Sequence, residues 1–285
     1  IAGADVAGPG FLNLRLDVAV WHGLLRAVLT HPATACGSAN LESALDEPLF
    51  FRSSLCTAVD FRHEEFQRWR RQLGEADRVH RKIWEHVFIA RHIEAAGLLA
   101  PGRRGLGFGV GREPLPAAFA HCGVQVTATD MDVEGARAAG WVSTAQHSRA
   151  ASDLLKEGIC DPAEFARLVS YETCDMTAIG PHFRDFDFCW SSCSLEHLGS
   201  IQAGADFIEN SLKTLKPGGV AVHTTEYNVS SNEDTIDHNS TLVIFRRRDL
   251  DALAEKLRAQ GHSVSKLCYD VLTEPVDFYV DVPPY

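Results

Sequence analysis

Long apolar runs, an excess of base, closely paired cysteines and internal repeats are all missing from this chain of 285 residues. No stretch is apolar for long enough to cross a bilayer and no secretory signal is visible, so a cytoplasmic protein is expected. Lysine and arginine number 27 against 38 acidic residues, a formal charge of −11. That balance argues against any general electrostatic pull toward nucleic acid or an anionic membrane. Eight cysteines occur without a C-x-x-C pair and read as reduced, mostly buried thiols rather than a disulfide framework. A Tyr-x-x-x-Lys pair is absent too, which counts against one kind of nicotinamide-dependent oxidoreductase.

What is present is a glycine-rich stretch inside Arg104 to Asp132, RGLGFGVGREPLPAAFAHCGVQVTATDMD. Gly105, Gly107, Gly109 and Gly111 alternate, and glycine lets the backbone turn with φ > 0 and approach a ligand closely. The pattern predicts a strand, a turn, a helix from about Glu113 to His121, and a second strand from Val124 to Thr129. Pro114 suits the first helical turn, where no intrahelical N–H is lost. Asp130 closes the second strand, about 20 residues past the glycines, where an acid is placed to bind ribose hydroxyls. The dinucleotide fingerprint G-x-G-x-x-G is not met from any starting glycine: the third position falls on Val110, Arg112 or Pro114.

The spacing actually found, G-x-G-x-G, resembles motif I of the class I S-adenosylmethionine-dependent methyltransferases. Further features follow in that family's order: Asp130, then Asp175-Met176 after a predicted strand Ser170–Cys174. Glu196-His197-Leu198 comes shortly after a continuous apolar strand, Asp185–Ser191, and Leu215-Lys216-Pro217-Gly218-Gly219 leads into a fifth strand. The resemblance spans about Gly105 to Glu226. It implies an α/β fold, a doubly wound, seven-stranded, mostly parallel sheet with an N-terminal helical cap, and S-adenosylmethionine as cofactor. The implied cofactor-binding residues are Gly105, Gly107, Phe108, Gly109, Gly111, Asp130, Met131, Asp175, Met176 and Ser192. Among them Met131 would pack on adenine, Asp175 would accept its exocyclic N–H, and Met176 would donate a backbone N–H. The family usually has an acid two residues before the first glycine of the triplet, serving the methionine amino group. Here that position is Gly105.

The rest of the chain is organised around this core. Residues 1–48 read as a strand-like leader and a linker, and 49–100 as the helical cap, with Gly74 separating two helices and Gly97 closing the second. Residues 101–285 form the catalytic domain, interrupted by a helical insertion at about 140–169 in which Asp161-Pro162 starts a helix. That insertion is either part of a substrate lid or a helix pair packed on the sheet. Ser263–Tyr269 and Val276–Val282 are expected as antiparallel edge strands. The cationic run His80-Arg81-Lys82 either faces the methionine carboxylate or forms a solvated basic face.

Methyl transfer to an oxygen needs a base, for which His197 and His223 are the candidates, with Glu196 and Glu226 as orienting partners or substrate contacts. The expected acceptor is a small molecule, at a hydroxyl of a sugar or secondary metabolite. No metal site is expected: Cys189, Cys193 and His197 recur in steps of four but would not share one helical face, and no fourth ligand is evident. The alternatives are a nicotinamide-dependent oxidoreductase and a non-catalytic cofactor-binding or scaffold protein of the same fold.

Overall fold

The computed structural model describes residues 3–6, 12–15, 53–138, 147–270 and 272–278. The chain divides into two compact units, Ile1–Leu49 and Phe50–Tyr285. In the first, β1 (Gly3–Val6) and β2 (Leu12–Arg15) pair as antiparallel strands. The linker and residues 140–146 of the insertion lie outside the described residues.

In the second unit β3 (Ser53–Ser54) is followed by two helices, α1 (Glu64–Gln72) and α2 (Arg81–Ala95). Gly74 and Gly97 take φ of 66° and 69° where these helices end, as expected of glycines beyond a helix C-terminus. Then come β4 (Arg104–Phe108), α3 (Leu115–His121), β5 (Gln125–Asp130) and α4 (Val133–Ala138). They are followed by α5 (Pro162–Leu168), β6 (Val169–Thr173), β7 (Phe186–Ser192), α6 (Ile201–Leu212) and β8 (Leu215–Thr224). Last are α7 (Arg247–Ala259) and β9 (Leu267–Cys268). Asp161 caps α5 as its sequence suggests, its Oδ1 accepting from the N–H groups of Ala163 and Glu164.

The main sheet is parallel throughout, in the order β6-β5-β4-β7-β8. The order reverses between β4 and β5 on one side and β7 on the other, so the carboxyl ends of β4 and β7 flank a topological switch point. Every residue of β7 is buried, which is what a central strand covered on both faces demands. One face carries Phe188 and Trp190, packed edge-on against Phe119 of α3 at 5.5 and 5.0 Å between ring centres. The opposite face carries Leu106, Phe108 and Cys189 against Phe207 of α6.

Two local expectations are revised. Pro217-Gly218-Gly219 is not a turn ahead of the fifth strand but a bulge inside it: the register passes from Phe186↔Leu215 to Phe188↔Val220. Pro217 has no N–H to give the ladder, and Gly218, at φ 81°, absorbs the excess residues. The main sheet counts five strands among the described residues, with the edge pair built differently. Leu267–Cys268 pairs in parallel with Ser53–Ser54 in a separate small sheet, and Pro275–Phe278 is a single 3-10 turn. The described part of the insertion packs on the core, with Leu154 and Phe165 buried in the cluster that holds Phe188.

Candidate active site

The turn after β4 is fixed by two left-handed glycines, Gly109 at φ 58° and Gly111 at φ 49°. A side chain at Gly109 would meet Ser194 Cβ at 2.8 Å and Met176 Sδ at 3.4 Å. The glycine turn, the loop after β6 and the loop after β7 therefore meet at one point. Asp130 ties the turn to β5: its Oδ2 accepts from Gly111 N–H (3.1 Å) and its Oδ1 from Met131 N–H (2.9 Å). The carboxylate also accepts from the Ser148 backbone, and its four lone-pair sites leave room for a hydroxyl donor. Burial raises the Asp130 carboxyl above its ordinary range, opposed by these N–H groups and by nearby His147. Met131 is partly exposed beside it, and the imidazole of His147 donates through Nε2 to the Met131 carbonyl (2.9 Å). Asp175 sits exposed after β6, with Oδ1 engaged by the backbone and hydroxyl of Thr177, while Met176 is buried.

Gly105 and Gly107 serve packing. A Cβ at Gly105 would lie 2.5 Å from Phe188 Cζ, and one at Gly107 would lie 2.5 Å from Trp190 Cζ2. The two rings fill the room that side chains at these positions would need. Trp190 in turn donates its indole N–H to Glu113 Oε1 at 2.5 Å. Glu113 is buried just past the turn, and burial pushes its carboxyl up to about 8.

Beyond β7 and β8 a group of ionisable side chains gathers. Lys82, in the first turn of α2, pairs with Glu85 Oε2 at 2.8 Å, and the same oxygen accepts from Ser192 Oγ at 2.9 Å and Thr224 Oγ1 at 3.5 Å. Burial works to raise the Glu85 carboxyl, but the Lys82 ammonium prevails and holds it below the usual range. Cys193 stands in the left-handed region at φ 45°, its N–H donating to Thr224. Its sulfur and carboxylate oxygens of Glu196 and Glu226 lie within 4.8 Å of one another. Burial pushes Glu196 to about 7, opposed by its own backbone N–H and by Lys82 and helped by the Glu85 carboxylate. Glu226 opens to solvent on one side, yet its carboxyl is enclosed by protein, and this together with Glu196 and Glu85 also pushes it to about 7.

Residues 105–223 match the family model described as a methyltransferase domain. That match covers under half of the chain, and it falls on the stretch of parallel sheet that carries the ordered motifs. Over those residues the chain carries a methyltransferase domain. Solved structures similar to it include the glycopeptide N-methyltransferase MtfA, at 18% identity over 53% of this chain and 58% of that one, with a TM-score of 0.36. Another is the CcbJ methyltransferase from Streptomyces caelestis, at 17% identity over 56% and 60%, TM-score 0.37. A third is a TehB-like SAM-dependent methyltransferase from Corynebacterium glutamicum, at 17% identity over 67% and 79%, TM-score 0.37. No curated protein matches the chain. The chain spans less than two thirds of the length of the first two structures, so acceptor and reaction have to be read from its own residues.

The two histidines expected as bases of this methyltransferase domain part company. His197 stays with the rim group. Its Nδ1 faces the Thr241 carbonyl at 2.5 Å and so carries the proton there, which leaves the lone pair of the neutral ring on Nε2. Burial holds it below the ordinary histidine range, against the Thr241 hydrogen bond, and so favours the neutral ring. His223 points to the opposite face. Ser211 Oγ gives its proton to the Ile208 carbonyl and hence accepts from His223 Nε2 (3.1 Å), so the Nδ1 lone pair accepts from Ser191 Oγ (2.8 Å). Burial lowers His223 to about 4. Its lone pair is already used inside the protein.

Ser192, expected at the cofactor, instead hands its hydroxyl to Glu85. The residues that sequence reasoning passed over are Glu85, Glu113 and His147. Glu85 had a signal, an acid three residues after a lysine on an otherwise apolar helix face. The others had none, because each depends on a partner distant in sequence.

Proposed function

We propose that this chain transfers the methyl group of S-adenosylmethionine to a hydroxyl of a small-molecule acceptor. The observation that supports it most is the Asp130 carboxylate bonded to the glycine turn through Gly111 N–H and Met131 N–H. The turn is thereby pre-shaped for a nucleoside at the carboxyl ends of β4 and β5. The donor set fits the cofactor: Asp130 for ribose, Met131 and Met176 beside the base, and glycines where backbone must come close. When bound, the cofactor supplies an already activated methyl group, so the protein's task is alignment and the exclusion of water. His197 Nε2 removes the acceptor's proton, its ring held by the Thr241 carbonyl. Glu196 and Glu226, the first almost wholly buried, hold the acceptor's polar groups at the same rim. A nitrogen acceptor is the second reading, favoured by the surplus of carboxylates there: a protonated amine would be held by Glu226 and lose its proton to it.

Calorimetric titration with S-adenosylhomocysteine, beside NADH, tests the reading. Micromolar binding of the former is expected, weakened at least tenfold in Asp130→Ala, with none for NADH. Preference for NADH would point to the oxidoreductase alternative. Binding with no turnover across hydroxyl and amine acceptors would favour the scaffold. A rate that depends on a single group of pKa below 6.5, lost in His197→Ala, is expected for the hydroxyl reading.

A further inference from the structure

The cofactor proposed above carries an α-ammonium on its amino-acid tail, and a buried ammonium needs an anion beside it. The motif position that would supply one holds Gly105, and the structure shows why no side chain fits there: a Cβ would stand 2.5 Å from the Phe188 ring. Phe188 and Trp190 line one face of β7, over Gly105 and Gly107. At the end of that aromatic row, where the chain leaves the glycine turn, Trp190 donates its N–H to Glu113. Glu113 is thus a carboxylate on the same face of the sheet as the missing acid, displaced toward the carboxyl end of β4 by the two rings. Among the described residues no lysine, arginine or histidine forms an ion pair with it, although it is buried. Lys82, whose charge works against burial to lower the Glu113 carboxyl, is committed to Glu85.

We propose that Glu113 is the binding residue for the α-ammonium of the cofactor's amino-acid tail, in place of the acid that Phe188 excludes from position 105. The inference rests on the cofactor reading given above. It accounts for the one departure of the glycine motif and for a buried carboxylate bonded to an indole N–H. That one bond leaves the carboxylate with acceptor capacity for an ammonium. The raised pKa agrees with this: burial leaves the Glu113 carboxyl short of positive charge, at about 8.

The test is a cycle of two proteins and two ligands by calorimetry: wild type and Glu113→Gln, each with S-adenosylhomocysteine and with its α-deamino analogue. Glutamine keeps an oxygen for the Trp190 N–H and removes only the charge. For the wild type, loss of the amino group is expected to weaken binding about tenfold. In Glu113→Gln both ligands should bind alike, at the weaker level, while the melting temperature moves little. Equal weakening of both ligands by the substitution would make Glu113 a structural prop and overturn the proposal, as would an unchanged preference for the amino group. If the wild type binds neither ligand, the cofactor reading falls and this inference with it. Glu113→Asp, which keeps the charge but withdraws it by one methylene, guards against a folding defect in the glutamine variant: it should retain part of the preference for the amino group. A preference fully lost in a folded Glu113→Asp and fully kept in Glu113→Gln would also overturn the proposal.

Discussion

An aspartate placed at position 105, the residue type expected there in this family, should lower stability by more than about 3 kcal/mol and bring no gain in cofactor affinity. Overpacking of a filled core typically costs roughly 1–3 kcal/mol, and a carboxylate pressed against aromatic rings adds desolvation. The clash is with ring atoms of Phe188, which is fully buried and itself packed edge-on against Phe119, so the ring has nowhere to retreat. For a domain of this size, about 3 kcal/mol corresponds to a melting temperature lower by roughly 6–12 °C. Gly105→Ala isolates the steric part and should cost about 2 kcal/mol. In a Phe188→Leu background that cost should fall below about 1 kcal/mol, a coupling that a double-mutant cycle by urea unfolding measures directly. A stable Gly105→Asp protein that binds S-adenosylhomocysteine more tightly than wild type would mean that the position can still serve the ammonium, and Glu113 would lose its role.

The same pair of positions shows how far the sequence could be read. Alternating glycines, an acid at the end of the next strand and an Asp-Pro helix start are local signals, and each appears where its chemistry predicts. The reason for Gly105 is not local: it is Phe188, 83 residues later, and no periodicity in either segment announces that the two cross. His223 fails as a base for a similar reason. Its position near the end of β8 is legible, but which face it takes depends on strand register. The bulge at Lys216–Gly219 alters that register, and the partner that captures the ring, Ser211, belongs to α6. The edge strands fail differently. Ser263–Tyr269 has the composition of a strand, yet pairing requires a partner edge, and the edge it finds is Ser53–Ser54 ahead of α1. Fold class rested on many weak signals in order, whereas each site assignment rested on a single contact across the sheet.

The second large effect concerns the pair that joins α2 to the strand ends. Lys82→Met should destabilise the protein by about 3 kcal/mol at pH 7, measured by urea unfolding. Breaking a buried pair costs roughly 3–5 kcal/mol, and the low end applies because the Lys82 side chain keeps 45% exposure while that of Glu85 keeps 10%. What remains is a carboxylate facing Cys193, Glu196 and Glu226 with no ammonium beside it. The pH dependence identifies the cause. In the wild type the Glu85 carboxyl is held below its unfolded value, so its contribution is present above about pH 4.3 and lost as pH falls through the folded value. Without Lys82, burial governs and the folded pKa rises above the unfolded one, so the variant regains stability as pH drops. Glu196 and Glu226, already near 7 and deprived of the same cation, move in the same direction. The gap between wild type and variant should therefore narrow from pH 7 to pH 5. Lys82→Met combined with Glu85→Gln should recover most of the loss, within about 1 kcal/mol of wild type, because the amide still accepts from Ser192 and Thr224 while position 85 no longer carries an unpaired charge. A gap that stays constant with pH, or a double variant no better than the single one, would show that Lys82 acts through the packing of its methylenes rather than through its charge.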